Sequence, residues 1–472
     1  MFSRVVAVLA LTLTVSVVPA SAREVEAEAD RVGAAGIGDA YFPLDGNGGI
    51  DVLHYDVRDT YEFGPGVLSG RTVLTVRATQ HLSRFNLDFL LPVDSVWVNG
   101  RRADFSRAAG HELRITPDAP VADGKKFTIE VAYRGRPGRE TYRGEGNWLA
   151  DDGEVVTMNQ PHMAPWWFPA NDHPSDKAAM DVRITVPRRY KVVSNGLPVS
   201  RKVRGDLATS HWRSPEPMAP YLAFFAAGAF TVRKGTTDGR PWVVAVSKQL
   251  PPILRQPGLA LMLRSGEVTS WLEDQLGTYP FGSTGGVMTN LEPGFALENQ
   301  SRPTYPVAGV GAISLVVHEL AHQWFGDSVS VDRWRDIWLN EGLATFMEIY
   351  WAETHGGRTG DQFLDDTYEA MRDRTDFWKL RIDDPGTARL FDGAVYMRGA
   401  MAAQALRNKI GDEQFWTLLR TWLDDRGGGN GSVPDFIALA ESISGQNLGG
   451  FFTAWLHDEL RPAKIAANGF DS

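Results

Sequence analysis

The chain has 472 residues, a formal net charge of −10 from 48 Lys and Arg against 58 Asp and Glu, and 43% hydrophobic residues. That length suggests two or three domains, and the composition is that of a globular protein with ample core. An acidic balance without any basic block argues against nucleic acid as a partner, and the absence of cysteine excludes disulfides, thiolate-bound zinc and a thiol nucleophile.

Residues 1–22 read as a signal peptide. Arg4 gives a positive start, Val5 to Val18 is an apolar run of fourteen, and Pro19-Ala20-Ser21-Ala22 ends in an Ala-x-Ala cleavage site. A membrane helix needs about 20 apolar residues, so this run suits export rather than anchoring. No other segment is long and apolar enough to cross a bilayer. The expected mature protein starts near Arg23 and is secreted, soluble and extracellular. Residues 23–49 are acidic, then rich in Gly and Ala, without periodicity, and are expected to form a mobile lead-in.

Residues 50–230 change character. Val52 to Val57, Arg71 to Arg77, Ser95 to Val98, Phe127 to Tyr133 and Asp181 to Val186 are short alternating runs, with turn signals at Asn99-Gly100 and Asp123-Gly124. Such spacing without helical pattern indicates an antiparallel β domain. Composition shifts near Gly235 to Gly239. Residues 231–472 open with a strand at Pro241 to Val246 and a helix over about 258–276 that Gly277 can end. Helical patterns follow at 394–410, 413–423, 433–443 and 448–456. The fold class is α+β and multidomain, a β domain followed by a mainly helical one.

The chemistry is concentrated at His318-Glu319-Leu320-Ala321-His322, led in by apolar residues from Gly311 to Val317. Residues four apart share a helix face, so both imidazoles can reach one ion with zinc–nitrogen distances of about 2.0–2.1 Å. Glu319 sits beside that ion, where a general base for an attacking water belongs. With eighteen residues between it and His322, Glu341 lies early in a second apolar-patterned helix and can supply a third ligand. Two His and one Glu leave a fourth position open, the catalytic rather than the structural arrangement, with one zinc per chain.

These motifs resemble the gluzincin aminopeptidases, the family of aminopeptidase N and its relatives. The resemblance runs over residues 50 to 460 and implies a thermolysin-like second domain. Val395-Tyr396-Met397-Arg398-Gly399 is similar to the family's Tyr-x-Lys-Gly segment, which makes Tyr396 the expected donor to the transition-state oxyanion, with Arg398 in place of lysine. Pro293 to Asn299 matches the family's Gly-Ala-Met-Glu-Asn segment at Ala296, Glu298 and Asn299 and departs from it at Phe295 and Leu297. The resemblance implies an edge strand that pairs with substrate backbone, and a glutamate, Glu298, that holds the free α-amine. Phe168 to Ala178 is similar to a third family segment, and eight residues before it Gln160 stands where many members carry a second anionic amine anchor. His162, Asp172 and His173 in this region are read as interdomain contacts and turns rather than a second metal site.

The implied activity is removal of single residues from peptides with a free N-terminus. Many family members continue into a large C-terminal helical domain that this sequence does not reach. That keeps a zinc endopeptidase with an open cleft as an alternative, beside a non-catalytic scaffold and, more distantly, an epoxide hydrolase.

Overall fold

The computed structural model describes residues 31–108 and 110–470; the signal peptide expected at 1–22 lies outside them. A ten-stranded sheet dominates the N-terminal half. Across it run Leu197–Arg204, Leu207–Met218, Ala178–Pro187, Ile50–Glu62, Val67–Ala78, Lys126–Gly135, Val93–Val98, Arg101–Arg107, Glu112–Thr116 and Phe85–Asp88. Its pairings are antiparallel except where Ile50–Glu62 lies parallel to Ala178–Pro187. The alternation legible in the sequence is why: along Ile50–Glu62 the residues Val52, Tyr55, Val57 and Tyr61 face the core while Arg58 faces out. A bulge between Val52 and His54 shifts that alternation by one. Asn99 and Gly100 take positive φ, as the two-residue hairpin between Val98 and Arg101 requires.

The second half begins with a smaller sheet, ordered Phe230–Thr237, Arg240–Ser247, Thr284–Met288 and Thr304–Tyr305. Helices then take over: α1 (Pro252–Leu263), α2 (Ser265–Leu276), α3 (Ile313–Ala321), α4 (Trp338–Thr354), α5 (Gly360–Ala370), α6 (Thr375–Lys379), α7 (Gly393–Ile410), α8 (Asp412–Arg426), α9 (Val433–Ser444) and α10 (Gly449–Phe452). The single helix expected over 258–276 is thus two. Ser265 caps the first with a side-chain bond to the Met262 carbonyl at 2.7 Å, and the chain restarts there. Among the described residues no helix is long and apolar enough to cross a membrane.

The expectation of a mobile lead-in is corrected for residues 31–49, which pack against both halves. Phe42 is in the core, and Asp39 and Asp45 are buried. Asp39 accepts from the backbone of Tyr41 at 2.7 Å and of Trp334 at 3.0 Å, and lies 3.2 Å from His173 Nε2. The Tyr41 hydroxyl reaches Asp384. Polar bonds, not apolar periodicity, fix this strap, so hydropathy patterning could not reveal it.

Candidate active site

The site is built where α3, α4 and α7 meet. Glycines set the approach of the last two. A methyl group on Gly399 would lie 2.7 Å from Gly342 Cα, and one on Gly342 would lie 2.8 Å from Gly399 Cα. Backbones that close require residues without side chains. The crossing brings Glu341, next to Gly342, and Tyr396, three residues before Gly399, onto one site.

His318 Nε2 and His322 Nε2 lie 3.1 Å apart, and Glu341 Oε2 is 3.4 Å and 3.3 Å from them. Ligands held tetrahedrally at about 2.0–2.1 Å from zinc would be about 3.3 Å apart, so the donor set fits that ion. The outward nitrogens are already occupied: His318 Nδ1 pairs with Glu348 at 2.8 Å and His322 Nδ1 with the Phe325 carbonyl at 2.9 Å. Both Nε2 atoms are therefore free to face the ion. Burial works against a charged imidazole at His318, yet Glu341, Glu348 and Glu319 hold its pKa well above the ordinary value. The same carboxylates favour a dication there. Glu341 itself is pulled down to about 2, because the two histidines outweigh its burial.

Glu319 is buried beside the triad, and burial with the charges of Glu298 and Glu341 pushes it up to about 8 against the pull of the histidines. Tyr396 is half-buried, its ring stacked 5.9 Å from that of His318 at 20°. Arg398, two residues on, faces away. Its guanidinium donates to the carbonyls of Trp378, Leu380, Ala454 and Asp458 and ties the C-terminal segment to α7.

Glu298 is 1% exposed and receives the Tyr221 hydroxyl at 3.1 Å. Burial raises its pKa, with Glu341 adding to the effect and His322 opposing it. Leu297 and Thr304 exchange both backbone bonds at 2.8 Å, an isolated bridge that sets residues 296–299 beside Thr304–Tyr305, the last strand of the smaller sheet. Ala296 is partly buried there. The Asn299 side chain instead bonds the Leu222 carbonyl at 3.2 Å, holding the segment from behind. Gln323, directly after the zinc motif, pins the same segment: its amide donates to Glu298 O at 3.1 Å and its carbonyl accepts from Ser301 N at 2.6 Å. Gln160 lines a cavity with Arg143, Glu145 and Phe391, and no bond joins it to Glu298 among the described residues. Its buried carbonyl oxygen has no partner there.

Sequence reasoning missed Glu348, Tyr221 and Gln323. Only Glu348 left a signal, two helical turns after Glu341 on the same face of α4. His173, read as an interdomain contact, is one, through Asp39 to Trp334.

A β domain docked on a helical domain that holds a His, His, Glu metal triad beside a buried glutamate defines a zinc metallopeptidase architecture. Comparison with known proteins specifies it. Residues 75–222 match the Peptidase M1 N-terminal domain and residues 306–455 the Peptidase family M1 domain. The chain belongs to peptidase family M1. It is similar to a solved M1 zinc metallopeptidase from Deinococcus radiodurans, determined as a point mutant with a Tyr-Ser-Ala substrate bound, at 28% identity and a TM-score of 0.82 over 91% of this chain and 100% of that one. Among curated proteins it is 28% identical to Aminopeptidase M1-D of Oryza sativa subsp. japonica over 68% of this chain, and 27% identical to the glutamyl aminopeptidase of Rattus norvegicus over 65%. These matches cover 38% and 35% of those two relatives, so the chain spans little more than a third of their length.

Proposed function

We propose that the protein is a secreted aminopeptidase with one zinc ion at the His318, His322, Glu341 triad of each chain. The observation that carries the exopeptidase reading is Glu298, a buried carboxylate fixed to the zinc helix through Gln323 and oriented by Tyr221. A substrate ammonium pairs with Glu298, which sets the distance from the N-terminus to the metal, so the first peptide bond is the one presented. The peptide backbone extends along the segment at 296–298, and the Gln160 carbonyl offers a neutral acceptor at the cleft. Zinc, when bound, supplies Lewis acidity toward the scissile carbonyl. Glu319 takes a proton from the attacking water as its oxygen bonds the carbonyl carbon, then returns it to the departing nitrogen as the C–N bond breaks. The Tyr396 hydroxyl donates to the oxyanion.

Support for secretion is the charged start, fourteen-residue apolar run and Ala-x-Ala site at residues 1–22. Recovering protein from the medium with an N-terminus near Arg23 checks it; retention of Met1 overturns it. For the activity, a peptide and its N-acetylated twin are digested with and without chelator and followed by mass spectrometry. Stepwise loss of N-terminal residues from the free peptide alone, abolished by chelator and restored by zinc, is expected. Internal fragments from both peptides would overturn the exopeptidase reading in favour of an endopeptidase.

A further inference from the structure

A second group of side chains with metal-ligand geometry lies in the β domain. Asp88, His111 and Glu112 each offer a ligand atom, all within 4.8 Å of one another. His111 Nε2 is 3.2 Å from Asp88 Oδ1 and 3.9 Å from Asp45 Oδ1. Asp45, Asp88 and His111 are fully buried and Glu112 is 1% exposed.

Three observations say that this is not an ordinary polar cluster. Asp88 and Glu112 stand directly opposite each other where strands Phe85–Asp88 and Glu112–Thr116 pair, and like charges in that register repel. Asp45 Oδ1, Asp88 Oδ1, both Glu112 oxygens and both His111 nitrogens have no hydrogen-bond partner among the described residues. The other oxygens of the two aspartates are occupied: Asp88 Oδ2 accepts from the backbone of Gly46 at 3.2 Å and of Asp172 at 2.6 Å, and Asp45 Oδ2 pairs with His162 Nε2 at 2.6 Å. Each aspartate is thus oriented by bonds on one side and left with a bare oxygen on the other. Carboxylate oxygens facing one another cannot satisfy one another, and the single N–H of a neutral His111 can serve only one of them. A shared cation can serve them together.

We propose that Asp45, Asp88, His111 and Glu112 bind a second divalent cation, separate from the zinc triad and structural in role. Separations of 3.2 to 3.9 Å, with none above 4.8 Å within the Asp88 group, suit adjacent and opposite ligands around an ion with bonds of about 2.1–2.3 Å. An imidazole among carboxylates selects a transition-metal dication of the manganese or zinc class over calcium or magnesium. Its ligands come from the strap at 31–49, from strand Phe85–Asp88, and from His111 and Glu112 where the strand paired with it begins. Asp172, on the segment that continues to Lys177, touches the site through its backbone. Lys177 in turn donates to the carbonyls of Asp327 and Ser328 in the other half, each at 2.8 Å. The ion would therefore hold the strap and stiffen the segment that spans the two halves.

The test uses the full chain expressed with zinc, manganese and calcium all supplied, desalted, and analysed for bound metal. The variants are a double His318→Ala, His322→Ala chain, which empties the triad, and Glu112→Gln, which removes one ligand charge with little change of shape. About two dications per wild-type chain are expected, about one in each variant, and zinc or manganese in the double variant. Chelator should lower the thermal midpoint of the double variant by several degrees, and manganese or zinc should restore it. That measurement leaves the new site intact, so it stands even where Glu112→Gln fails to fold, and it does not depend on peptidase activity. A double variant without metal and without a chelator response overturns the proposal. Calcium as the retained ion overturns the ligation by His111.

Discussion

Replacing Glu298 separates the exopeptidase reading from its rivals, because the zinc triad alone says only that a bond is hydrolysed. The carboxylate is 1% exposed and already accepts the Tyr221 hydroxyl at 3.1 Å, which leaves further lone pairs for a substrate ammonium. Burial raises its proton affinity, and an arriving cation relieves that cost. A charge-assisted hydrogen bond contributes about 1.5–3 kcal/mol and a neutral one about 0.5–1.5. Glu298→Gln keeps the shape and the acceptor but loses the charge, so kcat/KM on an aminoacyl chromogenic substrate should fall roughly 5- to 15-fold at 1.36 kcal/mol per decade. Glu298→Ala loses the whole bond and should fall roughly 12- to 150-fold. Activity on an N-acetylated analogue, poor from the start, should hardly change, and zinc content should match the wild type. Should Glu298→Ala keep the wild-type ratio of free to blocked substrate, the amine anchor lies elsewhere and the reasoning is wrong.

Glu319→Gln should retain zinc while turnover drops by about 10²–10⁴, the contribution of a placed acid–base, whereas Glu341→Gln should lose zinc on dialysis; equal metal loss in both would show the roles to be misassigned. Gly399→Ala forces a methyl to within 2.7 Å of Gly342 Cα, and overpacking of that kind costs about 1–3 kcal/mol. Its urea midpoint and kcat should fall together, and an unchanged midpoint would refute the tight crossing. Asp39 gives a pH dependence. Burial alone would raise its pKa, but bonds from His173, Trp334 and Tyr41 bring it down from 3.8 to about 2. A depressed carboxylate stabilises the fold above its unfolded pKa and loses that effect as pH falls through the folded one. The wild type should exceed Asp39→Asn by roughly 2.5 kcal/mol above about pH 4, with the gap closing toward pH 2; a gap independent of pH in that window would rule out the charge as its source.

The metal centre was legible because its spacing is local. His318 and His322 are one helical turn apart, and Glu341 falls early in the next apolar-patterned helix, so periodicity alone delivers three ligands. Tyr396 and Glu298 were legible only through resemblance, since an aromatic on a helix face and a carboxylate in a loop have no local signature of their own. Tyr221 and Gln323 left no signal at all. Their parts depend on which segment the fold lays against them, 77 residues away for Tyr221 and 25 for the Gln323 donor bond. The cluster around Asp88 was illegible for the same reason. Its ligands are scattered from Asp45 to Glu112, and no spacing between them repeats.

The β domain does more than flank the catalytic half, because the segment around Glu298, proposed above to meet the substrate's N-terminus, is held largely from its side. Asn195 donates to Gln300 O at 2.9 Å and Gly196 N to the Ser301 hydroxyl at 2.8 Å. Asn299 reaches back to Leu222 O, and Tyr221 grips Glu298 itself. Arg302, fully buried, donates to the carbonyls of Ser194 and Gly196 on one side and of Val243 on the other. A buried guanidinium is tolerable only while its donors are paired, and removing its partners leaves an uncompensated charge. Residues 298–302 therefore depend on both halves for their position. The zinc triad, by contrast, draws its three ligands from α3, its C-cap residue His322 and α4. On the proposed reading, hydrolytic chemistry would rest with the helical half, and selection of a free N-terminus with the junction between the halves.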